Sequence, residues 1–403
     1  MSITVCLAPA RTIRYPQGGG HLWVYLQWAL GLRALGCRVI WLEGLNPRAR
    51  GVRAPRRLIA GLKSRLQPFG LSESVALFSA DGGPLPRELA QDSLDLDAAA
   101  EADLLVNLWH SLPAAVVRRF GRTAFVDTDP GRLQIWMTTR FLRVAPHQIY
   151  FTIGETVGTP AARFPDCGLR WHYTPPAVFL PEWPPARADS SAPYTTVAHW
   201  WGGKIRFRGE TISNDKRVAF LKFAQLPSRT SAKLEMAICL GSRYEQWRGR
   251  LESLGWTIRE AWEVAATPGQ YRSYIQQSRG EFGCANPACV HLANAWISDR
   301  TLCYLASGKP AIVEDTGPSR ILPEAEGLFR FRSLDDAVRA LAAVESDYGR
   351  HARLARALAE EHFDAQKVAA RVLEQALAWP RRRSRAGNAQ RGTSIVPAEA
   401  RRR

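Results

Sequence analysis

Apolar positions along the chain come in short runs of about five residues, separated by longer stretches in which they recur every three or four residues. That alternation builds parallel sheets covered by helices. Residues 3–7 form the first apolar run, a turn of Gly18, Gly19 and Gly20 follows, and Leu22, Leu26, Ala29 and Leu30 share one face of a helix predicted over 21–35. Gly36 ends that helix and residues 38–42 predict the next strand. Strands predicted at 103–108 and 123–126, with a helix over 112–120 between them, repeat the unit, so the first half reads as doubly wound. A second series has strands at 194–199, 234–240, 256–258, 281–284 and 311–313 and helices over 216–224, 243–254, 270–278 and 298–306, closed by helices over 334–344 and 350–377.

Between the two series the composition changes. The stretch WHYTPPAVFLPEWPPARADSSAP, residues 171–193, has clustered prolines that deny the chain helix hydrogen bonds and interior strand pairing. The predicted organisation is a Rossmann-like domain over 1–175, a Pro-rich linker over 176–193, a second Rossmann-like domain over 194–380 and a disordered Arg-rich tail over 381–403. Two such α/β lobes leave a cleft facing the carboxyl ends of both sheets, where ligands of these folds bind.

With 46% hydrophobic and 23% charged residues, the 403-residue chain has the composition of a globular protein of two cores. The net charge of +17 raises the question of a polyanion partner. From Arg381 onward, however, eight Arg stand against one Glu, so seven of those charges sit in a polar tail and the rest are scattered. That is not a nucleic-acid footprint, and no nucleic-acid partner is expected. Seven Cys lack zinc-like spacing, since Cys284, Cys289 and His291 do not complete a tetrahedral set, and reduced, mostly buried thiols are expected. The start MSITVCLAPARTIRYP lacks a signal-peptide pattern and no run approaches a membrane span, so a cytoplasmic location is expected.

Candidate chemistry collects where strands end and helices begin. Gly18, Gly19 and Gly20 could bring backbone N–H groups to an anion at a helix start, or simply make a flexible turn. His21 could face the cleft as a base or donor, or be a capping histidine. Asp127 and Asp129, in Asp-Thr-Asp-Pro-Gly, place two carboxylates at a strand end, suited to orienting an acceptor hydroxyl or to turn formation. Glu155 sits in a similar position. Gly202, Lys204 and Lys216 offer backbone donors and positive charge to a pyrophosphate, or form a solvated basic loop. In the stretch 279–317, Ser298 caps a helix opening with Asp299, Arg300 and Thr301, and a buried strand stops at Glu314, Asp315, Thr316 and Gly317.

The run W-I-S-D-R-T-x-x-Y-L-A-S-G-K-P-A-I-V-E-D-T-G, from Trp296 to Gly317, resembles the donor-domain signature of GT-B glycosyltransferases. It is most similar to a bacterial group sharing S-x-G-E-F, S-D-R-(S/T)-x-x-Y-L-A-S-G and D-T-G elements. D-T-D-P-G at 127–131, T-I-G-E at 152–155 and W-x-x-T-x-P-P from Trp171 extend the likeness over nearly the whole chain except the tail. The resemblance implies transfer from a nucleoside diphosphate sugar as co-substrate, without a resident cofactor and usually without metal. It implies Asp299, Arg300 and Thr301 at the donor-site helix start, Glu314, Thr316 and Gly317 beside the nucleotide or sugar, and Lys204 and Lys216 on phosphate. Many retaining members carry two Glu seven residues apart. Glu281, the candidate catalytic carboxylate here, has no such partner, so the anomeric outcome stays open.

The leading expectation is therefore a glycosyltransferase holding an unspecified acceptor near His21, Asp127 and Glu155. Two other readings share the architecture: a sugar-nucleotide epimerase, and a non-catalytic binder of sugar nucleotides or polyanions whose Arg-rich tail contacts anionic lipid.

Overall fold

The computed structural model describes residues 2–46, 53–80, 84–187, 189–241 and 244–382. The first lobe is a seven-stranded sheet of β1 (Thr4–Ala8), β2 (Arg38–Leu45), β3 (Val75–Ser79), β4 (Leu104–Asn107), β5 (Thr123–Asp127), β6 (Ile149–Thr152) and β7 (Trp171–Tyr173). Its order is β3-β2-β1-β4-β5-β6-β7 and every pair is parallel. The second lobe has β8 (Tyr194–His199), the antiparallel hairpin β9 (Lys204–Phe207) and β10 (Glu210–Ser213), then β11 (Leu234–Cys239), β12 (Thr257–Glu260), β13 (Gly280–Gly283), β14 (Ala311–Glu314) and β15 (Leu328–Phe331). Its parallel sheet runs β12-β11-β8-β13-β14-β15. Strands such as β1 and β3 are buried along their length because helices cover both sheet faces, which is why they read as continuous apolar runs rather than alternating ones. Strand order reverses beside β1 and beside β8, and these switch points open the crevices in which doubly wound sheets bind ligands.

Several elements depart from the sequence expectation. The helix predicted over 112–120 is only Ala114–Val117, because Pro113 sets its start and the chain turns at Arg118. Strands β3, β7 and β15, the β9–β10 hairpin and the helix Arg53–Leu66 were not anticipated. The predicted helix over 350–377 is broken into Tyr348–Leu358, a wide turn Ala359–Phe363, and Ala365–Leu377. At the break the linker docks: Val178 N–H donates to Phe363 O (2.8 Å) and Ala365 N–H donates to Val178 O (2.9 Å).

The last helix corrects the predicted domain boundary at 380. Ala365–Leu377 packs on the first-lobe helix Gly19–Ala34, against Gly31, whose hydrogen faces the Ala365 carbonyl. Arg122 Nε donates to Trp379 O (2.7 Å), Gln148 Nε2 to Pro380 O (2.8 Å) and Arg382 N to Gly121 O (2.7 Å). The apolar face Val368, Val372, Ala376 is buried in the first lobe's core, which outweighs its sequence proximity to the second lobe. The linker is fastened too: Trp183 is fully buried against Trp23 (4.9 Å between ring centroids) and Tyr271 (6.2 Å). The predicted tail falls outside the described residues from 383 onward. None of the seven cysteines forms a disulfide, and no described helix is long and apolar enough to cross a membrane.

Candidate functional site

A cavity of about 740 Å³ opens between the lobes, within the range of sites that hold a drug-sized ligand. The first lobe contributes the turn from Tyr15 to Gly18 and the start of Gly19–Ala34; the second contributes the carboxyl ends of β8 and β11 and the starts of helices Lys216–Lys222 and Asp299–Ala306.

Three cations line it: Arg14, exposed on the first lobe, and Lys216 and Arg300 on the second. Lys216 opens its helix, is almost fully buried, and donates from Nζ to Cys284 O (3.3 Å) over the Trp296 ring. Burial, and then the neighbouring Arg300, pull its pKa down to about 8. Arg300 is held by two acceptors, Glu281 Oε1 at 2.6 Å and Val197 O at 3.0 Å. Burial works against its charge, but Glu281 more than offsets this and keeps the guanidinium protonated. Ser298 Oγ accepts from Arg300 N–H (3.3 Å) and caps the helix that presents both Asp299 and Arg300. Asp299, half-buried beside them, has its pKa raised by burial.

The opposite wall is the amino end of Gly19–Ala34. Gly19 N–H donates across the interface to Ala265 O (3.1 Å). A Cβ on Gly19 would collide with the Thr267 and Ala265 carbonyls, and one on Gly20 would lie 2.7 Å from the Tyr271 ring. The glycines thus serve lobe contact, and Gly18 N–H is spent on Tyr15 O. The Gly20 and His21 N–H groups have no backbone or side-chain acceptor among the described residues and remain as donors at a helix start. His21 Nε2 lies 2.9 Å from Ala10 O, so it carries the hydrogen and Nδ1 is the acceptor. Burial lowers its pKa, the Ala10 carbonyl opposing and Arg65 assisting, so the ring is neutral at pH 7.

The structure moves other predicted residues away from the cavity. Glu281 is fully buried on β13 behind Arg300, ion-paired with the guanidinium and not among the residues that line the cavity. Asp127 accepts from Asp129 N–H (2.8 Å), Gln134 Nε2 (2.8 Å) and Thr152 Oγ1 (3.0 Å), and burial raises its pKa to about 6. Its oxygens organise the turn. Asp129, paired with Arg132, stays near the cleft, in a small void shared with Asn286 and Trp296. Glu155 lies at another part of the lobe interface, where it accepts from Ser319 Oγ (2.5 Å) and from Arg320 N (2.8 Å) and Nε (3.0 Å). Gly202 N–H is taken by Asp215 Oδ1 (2.5 Å), and Lys204 stands exposed on the hairpin. Thr301, Glu314 and Thr316 form a wall behind Trp296: Thr316 Oγ1 donates to Trp296 O (2.6 Å), and Glu314 Oε2 accepts from Ala285 N–H (3.1 Å). Gly317, at φ +120°, fits against the Ala293 backbone, where a Cβ would come within 2.8 Å.

Four lining residues carried no sequence signal of their own. His199 ends β8 at the rim, where the surrounding protein and then Lys216, Arg132 and Arg300 lower its pKa. Trp262 is 51% exposed, and Asn286 and Tyr271 complete the wall. Trp262 stands just beyond the end of β12 and Asn286 three residues beyond β13, the strand-end location that could have flagged them.

No known protein family matches the chain, and no curated protein is similar to it in sequence. Solved structures are similar in fold. HepE of Anabaena, in complex with UDP-glucose, superposes with a TM-score of 0.55 at 13% identity, covering 94% of this chain and 100% of that one. A glycosyltransferase of Rickettsia africae gives 0.52 at 10% identity, over 93% and 98% of the two chains. An alpha-glucosyltransferase in complex with UDP gives 0.53 at 10% identity, over 94% and 100%. The chain therefore has the two-lobe, Rossmann-like GT-B architecture.

Proposed function

We propose that the protein is a glycosyltransferase that holds a nucleoside diphosphate sugar in the interlobe cavity and transfers its sugar to an acceptor hydroxyl. The observation that carries this reading is the convergence of Lys216, Arg300 and the free N–H groups of Gly20 and His21 on one cavity at the carboxyl ends of the sheets. Two fixed cations and a helix start match the two phosphates of such a donor, and the structurally similar HepE and alpha-glucosyltransferase hold UDP or UDP-glucose. UDP-sugars are accordingly the first donors to test.

In the reaction the acceptor oxygen bonds to the anomeric carbon as the bond from that carbon to the diphosphate breaks, and the electron pair leaves with the diphosphate. Lys216 and Arg300 stabilise the negative charge that develops there, and this supports transfer without a divalent metal. Asp299 and Asn286 offer acceptors and donors to sugar or ribose hydroxyls. The acceptor proton passes to His21 Nδ1 if attack comes from the face opposite the diphosphate, or to the departing diphosphate if attack comes from the same face. Inverted product assigns it to His21 and retained product to the diphosphate. The test is release of nucleoside diphosphate from a panel of nucleotide sugars, with EDTA or Mg²⁺ and with water or simple glycosides as acceptors. One preferred donor should be turned over, and Lys216→Ala should reduce the rate by about a hundredfold or more. Turnover by Lys216→Ala at the wild-type rate overturns the assignment.

A further inference from the structure

Away from the cavity, two first-lobe segments, residues 104–126 and 130–154, together contain six Arg and no Asp or Glu. Between them lies a groove of about 580 Å³ lined by Leu112, Pro113, Met137, Leu142, Val144 and Pro146 among others. Next in the chain to the lining residue Leu142 stands Phe141, 76% exposed and the most exposed large hydrophobic side chain among the described residues. Arg140 and Arg143 flank it, both exposed, and neither forms an ion pair among the described residues. By contrast Arg119 pairs with Asp97, Arg132 pairs with Asp129, and Arg122 is bonded to Trp379 O. An aromatic line runs inward from Phe141 to Trp136 (5.4 Å between centroids), over which the Arg132 guanidinium lies at 4.6 Å. Arg132 and Asp129 border the void shared with Asn286 and Trp296, so this face adjoins the mouth of the interlobe cavity.

We infer that this face docks on an anionic phospholipid bilayer, with Phe141 in the acyl boundary, Arg140 and Arg143 at the headgroup phosphates, and the apolar groove against the lipid. A partner must supply negative charge to two unopposed guanidinium groups and an apolar medium to a side chain that water solvates poorly, and an anionic bilayer surface supplies both. Nucleic acid would satisfy the arginines while leaving Phe141 and the groove in water. A second copy pairing through the same face would oppose positive to positive. The inference does not depend on the transferase reading, because lipid docking is measured without nucleotide.

The test is sedimentation of the full chain with vesicles of phosphatidylcholine alone or containing about one-third phosphatidylglycerol, at low and high salt. The wild type should bind the anionic vesicles and bind them less well at high salt. Phe141→Ser, which alters an exposed residue and so leaves folding intact, should weaken binding by about tenfold or more. Arg140→Glu with Arg143→Glu should weaken it by at least about tenfold as well. Reversal of Arg401, Arg402 and Arg403 to Glu measures what the tail adds. Three results overturn the inference: no preference for anionic vesicles, unchanged binding by Phe141→Ser, or binding that only the tail variant loses. Full competition by a DNA duplex with no effect of Phe141→Ser would instead assign the face to nucleic acid.

Discussion

Lys216 and Arg300 both bring positive charge to the cavity, but their neighbours set that charge differently. Arg300 is locked on by Glu281, whereas Lys216 is buried beside a like charge and titrates near 8. A lysine is cationic below its pKa, so nucleoside diphosphate affinity should hold from pH 6.5 to about 8 and weaken as Lys216 deprotonates above that. Titrations across this range check it: the Lys216→Met variant should lose the alkaline fall along with about 10- to 100-fold in affinity, the value of a hydrogen bond to a charged group. Glu281→Gln separates positioning from catalysis. Removing one partner of a buried ion pair costs about 3 kcal/mol or more, so the variant should melt earlier and, with Arg300 released, show both a raised KM and a lowered kcat. A collapse of kcat at unchanged KM would return Glu281 to the reacting atoms. The contrast between these residues also shows what sequence can tell. Lys216, Asp299 and Arg300 were legible because a helix start after a parallel strand faces the crevice whatever surrounds it. The Glu281 pairing was not legible, because a strand carboxylate looks the same in sequence whether it faces ligand or Arg300. The contacts of Glu155 and Asp127 were hidden for the same reason: their partners, Arg320 and Gln134, are set by the fold.

Where elements meet, close approach of the lobes rests on small residues. The first-lobe helix Gly19–Ala34 enters the interface through Gly19 and Gly20, which the sequence suggested as an anion loop and the structure uses chiefly as contact surface. Gly19→Ala should cost about 1–3 kcal/mol by overpacking against backbone that cannot swing away, read as a lowered urea midpoint. It should also weaken nucleotide binding, because the two walls of the cavity separate. A neutral effect on both would mean the lobes stand farther apart in solution. Among the strands that were legible, β1, β2, β4, β5, β11 and β14 are mainly apolar runs, while β8 and β13 carry polar residues as well. Of those that were missed, β3 is as apolar as β1 and nothing in its pattern hid it, whereas the edge strand β7, Trp171–Tyr173, is short, lies inside the Pro-rich stretch and reads as linker. The hairpin β9–β10 was hidden because Lys204 and Arg206 make it read as a basic loop.

Taken whole, the molecule is two doubly wound lobes tied together at several places, among them the linker through Trp183, the Glu155 contact with Ser319 and Arg320, and the helix Ala365–Leu377 crossing back to the first lobe. One apolar core joins Leu302, Tyr304 and Leu305 of the second lobe to Leu22, Trp23 and Leu26 of the first. Thermal unfolding should therefore show one cooperative transition by calorimetry, and two resolved transitions would contradict the shared core. The crossing helix could not be read from the sequence, because an amphipathic stripe says that a face is buried and not which lobe buries it. If the cavity joining these lobes holds the diphosphate of a sugar nucleotide, UDP and UDP-sugars titrated calorimetrically into the wild type should bind saturably at one site, and Lys216→Met should lose about tenfold or more in affinity. Absence of binding by any nucleoside diphosphate, or equal affinity in the two proteins, would contradict it.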